Sequence, residues 1–124
     1  MTSRVKVFFD GGCRPNPGEM EVAVVAAGRT HILRDLGHGT SEDAEWLGLI
    51  EALKVAQALD RDFVLVGDAI GVIGQANGTA KCRSAGVRHQ EAFRVLASEK
   101  PPHIRYIKRT QNLAGIALAR LRVR

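Results

Sequence analysis

Three features of this 124-residue chain predict a mixed α/β domain built on a five-stranded sheet. Three short strand-like segments come before any helical pattern. The run FVLVG at 63–67 is apolar at every position, as a strand covered on both faces is. Long stretches with helical periodicity stand on either side of it. The order βββαβααβα fits three antiparallel strands extended by two parallel ones.

Each element has its own signal. Residues 5–9, VKVFF, form the first strand and end at Asp10. The following GGCRPNPG is so dense in Gly and Pro that it predicts a loop. Residues 21–27 and 31–36 are two strands joined at Gly28 and Arg29, completing a meander. Thr40 or Ser41 caps a helix running to about Leu59, with Glu42 and Asp43 in the first turn to suit its dipole. A short helix after Asp68 stops at Asn77-Gly78. A second amphipathic helix covers 87–98, with Phe93, Leu96 and Ala97 on one side, and Pro101-Pro102 ends it. Residues 104–107 form the last strand, and Asn112 caps a final helix through Leu121.

Bulk properties narrow the function. The length suits one domain, 1–124, with a core that needs no staples. No apolar run reaches the roughly 18 residues of a membrane helix. The N-terminus passes straight into a strand pattern, so no signal peptide is expected. Cys13 and Cys82 lack metal-ligand spacing, and free thiols in a reducing cytoplasm are the simpler reading. The formal charge of +5 is unevenly spread. Residues 1–62 hold seven Lys/Arg against ten Asp/Glu, whereas 63–124 hold eleven against three. Acids early and cations late suit a metal-dependent nucleic-acid enzyme. A solvated basic face would give the same count.

The chemistry rests on carboxylates in costly places. Glu45 shares a helical stripe with Leu49, Ala52, Leu53 and Ala56, where an ionised group is expensive unless paired. Asp10 and Asp68 each close an apolar strand, and ligands of open α/β sheets bind beyond such strand ends. Either Asp alone could be a turn-former, and Glu45 alone a helix-start acid. Together, with no convergent His or Cys, they suggest a hard cation, Mg²⁺ or Mn²⁺. The glycine loop does not match a P-loop, though Gly11 and Gly12 would allow close backbone approach by a ligand. His31, His38, His89 and His103 have no partner spacing and read as surface or packing residues.

DGGCRPNPG after the first strand, TSEDAEWLGLIEAL on the first helix and GDAIGVIGQANG after the fourth strand together resemble type 1 ribonuclease H. The resemblance covers nearly the whole chain. It implies sheet order 3-2-1-4-5 with helices on both faces, and cleavage of the RNA strand of an RNA–DNA hybrid by a monomer. It assigns Asp10, Glu45 and Asp68 to metal binding, and two Mg²⁺ ions flanking the scissile phosphate. It sets Gly11, Gly12, Cys13, Asn16, Thr40 and Asn77 near the hybrid, whose 2′-hydroxyls would confer selectivity. Two departures stand out. Ser41-Glu42 replaces a pair of Asn residues, and Ile116 occupies the position of the family's fourth carboxylate. Asn112, one helical turn before Ile116, could supply an amide oxygen to the metal or act as a helix cap.

Overall fold

The computed structural model describes residues 4–84 and 86–122. Strand β1 (Val5–Arg14) pairs antiparallel with β2 (Gly18–Ala26), and β2 with β3 (Arg29–Leu33). A two-residue strand, β4 (His38–Gly39), attaches to the start of β2. Helix α1 (Ser41–Ala58) leads to β5 (Phe63–Gly67), which lies parallel to β1. Helices α2 (Ile70–Asn77) and α3 (Gly86–Ala97) then precede β6 (Ile104–Tyr106), parallel to β5. A 3₁₀ turn over Arg109–Gln111 enters α4 (Leu113–Arg122). The sheet order is β3-β2-β1-β5-β6. Discounting β4, this is the expected order.

The glycine-rich segment departs from its expected loop. Gly11, Gly12, Cys13 and Arg14 continue β1 and pair with Val22, Glu21, Met20 and Glu19. Only residues 15–17 form the turn. Glycine is permissive toward extended backbone, and here a tertiary contact decides the outcome. A Cβ on Gly11 would lie 1.9 Å from the carbonyl oxygen of Ala44, and one on Gly48 would lie 2.8 Å from that of Asp10. Strand and helix therefore touch backbone to backbone.

The main core lies between one sheet face and α1, α2 and α3. Val7, Phe9, Val24 and Leu65 meet Trp46, Leu49, Leu53, Val72 and Phe93 there. A smaller cluster of Ala23, Ala114 and Leu118 seats α4 on the opposite face. Both faces of the sheet are thus covered, which explains why β5 is apolar throughout.

Candidate active site

Parallel register sets the first two acids side by side. Phe8 of β1 lies opposite Val66 of β5, so the same register carried two residues on brings Asp10 level with Asp68. Asp10 shares strand parity with Phe8, on the side covered by α4. A Cβ on Gly115 of that helix would sit 3.3 Å from Asp10 Oδ2. The third acid arrives from the other side. Close packing of Gly11 on Ala44 and of Gly48 on Asp10 fixes α1 so that Glu45 stands within electrostatic reach of both.

The electrostatics of Glu45 reflect that position. Burial, then repulsion by Asp10, Asp68 and Glu42, pushes its carboxyl up to about 7, while Arg109 pulls the other way. Among the described residues, no three His, Cys, Asp or Glu side chains are gathered into a metal shell. Three like charges that repel one another have reason to stand apart. Their all-oxygen donor set nevertheless fits a hard dication, which would relieve that repulsion.

Asn112 is wholly buried, at 0% exposure, and all its polar atoms are engaged. Its Oδ1 accepts the Ala114 N–H at 3.1 Å, capping α4. Its Nδ2 donates to the Phe9 carbonyl at 3.0 Å and to Asp68 Oδ1 at 2.6 Å. These partners dictate the amide orientation, because an N–H needs the oxygen and a carbonyl needs the NH₂. The oxygen that could have met a metal serves as the helix cap, and the amide hydrogens brace Asp68. Ile116 lies one turn further along α4 and is 37% exposed.

The remaining candidates divide into two groups. Asn16 Oδ1 accepts the Ser41 N–H at 3.0 Å, joining the β1–β2 turn to the start of α1. Cys13 is buried beside Met20 and Ala44, with its Sγ 3.6 Å from Asn16 Oδ1. Thr40 caps α1 in a reciprocal box with Asp43 and is exposed. These three, with Gly11 and Gly12, cluster where β1 meets the start of α1. Asn77 stands apart, donating to the Ile104 carbonyl at 3.4 Å, well before the carboxylate end of the sheet.

One participant escaped the sequence reading. His89 of α3 is buried, stacks on Trp46 with ring centroids 6.3 Å apart, and donates from Nε2 to Asp43 Oδ1 at 2.8 Å. Its spacing gives no hint of that partner. A cavity of about 760 Å³ lined by Arg4, Asp60, Arg61, Lys100 and His103 lies at the other end of the sheet and touches none of the three acids.

Comparison with solved structures agrees with this geometry. The chain is similar to ribonuclease H1 from the halophilic archaeon Halobacterium salinarum NRC-1, at 28% identity over 94% of each chain and a TM-score of 0.82. The chain is ribonuclease HI-like. LC11 ribonuclease H1, solved in complex with an RNA/DNA hybrid, is 25% identical over 89% of each chain, with a TM-score of 0.74. The N-terminal ribonuclease H domain of Rv2228c from Mycobacterium tuberculosis shares the fold at 24% identity, covering 99% of this chain and 100% of that one, with a TM-score of 0.77. No family model and no curated protein matches the chain. In ribonuclease HI-like terms, Asp10, Glu45 and Asp68 occupy the acid end of the fold, and Asn112 braces it.

Proposed function

We propose that this protein is a metal-dependent endoribonuclease that hydrolyses the RNA strand of RNA–DNA hybrids, with Asp10, Glu45 and Asp68 as the metal-binding carboxylates. The observation that carries this reading is the placement of Asp10 level with Asp68 while both repel Glu45. A protein that only gripped phosphates would gain nothing from three acids at one end of its sheet. When bound, Mg²⁺ or Mn²⁺ would supply an activated water and stabilise the leaving 3′ oxygen.

The protein's own residues prepare that event. Asn112 holds Asp68 in one orientation through Nδ2 and keeps the start of α4 against β1. Glu45 must lose its proton to bind a cation, so metal affinity should rise with pH through about 7. Arg109 favours the ionised form of Glu45 and adds a cation where phosphate would pass. The hybrid would lie across the junction of β1 and α1, near Gly12, Asn16 and Thr40.

Cleavage of an end-labelled hybrid with Mg²⁺ or Mn²⁺, beside an Asp10→Asn control, tests the proposal. Cutting of the RNA strand by the wild type alone is the expected result. Ile116 favours a second reading, a hybrid-binding protein without turnover, because an alkyl group stands where a fourth carboxylate is expected. Hybrid retention with no cutting would select it. Ile116→Asp separates the two, since a gain of cleavage with Mg²⁺ would mark a site short of one ligand.

A further inference from the structure

The contact between α3 and α1 at the hybrid-facing corner is unexplained by the carboxylate chemistry. Asp43 Oδ1 accepts His89 Nε2 at 2.8 Å, while its Oδ2 accepts both the Thr40 N–H and the Thr40 hydroxyl at 3.0 Å. Thr40 Oγ1 in turn accepts the Asp43 N–H at 3.1 Å. A hydroxyl has one proton and two lone pairs. Here the proton and one lone pair are committed, and Thr40 is exposed. What it offers outward is an acceptor.

That polarity discriminates between ligands. A phosphate oxygen brings no hydrogen and would meet the Asp43 carboxylate close by. A ribose 2′-hydroxyl brings a donor, and deoxyribose brings none. The arrangement depends on Asp43 staying aimed at Thr40. His89 supplies that aim from a separate helix, and stacking on Trp46, with rings inclined by 20°, fixes its own orientation.

We propose that His89 is a positioning residue for RNA recognition: by holding Asp43, it presents the Thr40 hydroxyl as an acceptor for a ribose 2′-hydroxyl. The inference rests on the ribonuclease H reading of the site. It extends that reading to a residue on α3 and gives a chemical reason for choosing hybrid over DNA duplex.

The test compares binding of an RNA–DNA hybrid and a DNA duplex of the same sequence, in EDTA so that nothing is cut. His89→Phe keeps a ring against Trp46 but lacks the donor, and His89→Gln restores one. We expect His89→Phe to lose about three- to tenfold in hybrid affinity with duplex affinity unchanged, the scale of one hydrogen bond. His89→Gln should recover part of that loss, and in cleavage assays the effect should fall on KM rather than kcat. Equal losses for hybrid and duplex would reduce His89 to a packing residue and overturn the proposal. Unchanged hybrid binding would overturn it as well. A wild type that binds neither ligand would sink the ribonuclease H reading itself, and this proposal with it. If His89→Phe fails to fold, Asp43→Asn replaces it, since an amide cannot accept all three bonds.

Discussion

Asn112 shows how much one buried side chain can hold. Asn112→Ala would orphan the Phe9 carbonyl and the Ala114 N–H and release Asp68. Each unsatisfied buried group costs about 1–3 kcal/mol, so a loss on the order of 3 kcal/mol or more is expected by denaturant melting. Asn112→Asp makes a sharper test. It keeps the cap but turns an acceptor toward the Phe9 carbonyl and Asp68, so without metal it should destabilise the fold at neutral pH. Saturating Mg²⁺ should recover part of that loss, if the new carboxylate reaches the cation. Glu45 carries a pH signature of its own. Its carboxyl rises from 4.5 to about 7 on folding, so it favours the fold below 4.5 and that contribution disappears as pH climbs through 7. Glu45→Gln should therefore melt higher than wild type at pH 8 in EDTA, with the advantage gone at pH 4. The three acids were legible in sequence because a carboxylate in an apolar pattern is conspicuous. The Asn112–Asp68 and His89–Asp43 bonds were not, because they join residues 44 and 46 positions apart with no shared periodicity.

Between elements, the contact that builds the site is made by what glycine lacks. Gly11 lets α1 approach β1 until the Ala44 carbonyl occupies the space of a side chain, and Gly48 does the same over Asp10. Gly11→Ala must push helix and strand apart, since backbone cannot swing away as a side chain can. We expect a stability loss of about 3 kcal/mol or more, with Glu45 moved away from Asp10 and metal binding weakened accordingly. Gly71, whose Cβ would meet nothing, is the matched control, and Gly71→Ala should leave metal binding intact. Thr40→Ala should cost about 1 kcal/mol through the lost cap, measured by thermal melting. Sequence correctly marked Thr40 as the helix start and Gly78 as the stop of α2, because caps are local chemistry. It misread GGCR as a loop because Gly signals only permission. Whether permission is spent on a turn or on a close approach depends on a helix that begins some 30 residues later.

For the whole molecule, charge and topology act together. The chain places most of its acids before residue 63 and most of its cations after it, but the fold interleaves the two halves because β1 lies against β5. Asp10 and Asp68 therefore stand together despite coming from opposite halves, and Arg109 from the basic half reaches Glu45. The fold class was legible because strand parity, helix caps and an all-apolar β5 agreed with one another. Charge sums along the chain foretold cations and acids but not their meeting, which is a property of parallel register. A basic surface beside an acid cluster has a measurable consequence. Hybrid binding in EDTA should weaken with salt as counterions compete for phosphates; for about three phosphate contacts the loss between 50 and 200 mM is roughly 10- to 100-fold. Arg109→Ala should flatten that dependence by about one contact and also raise the Glu45 carboxyl further, moving the pH midpoint for Mg²⁺ binding upward. Isothermal titration across pH 6–9 reads the second effect. An unchanged midpoint would mean that Arg109 acts on the phosphate backbone alone, and a change in midpoint with an unchanged salt slope would confine it to the acids.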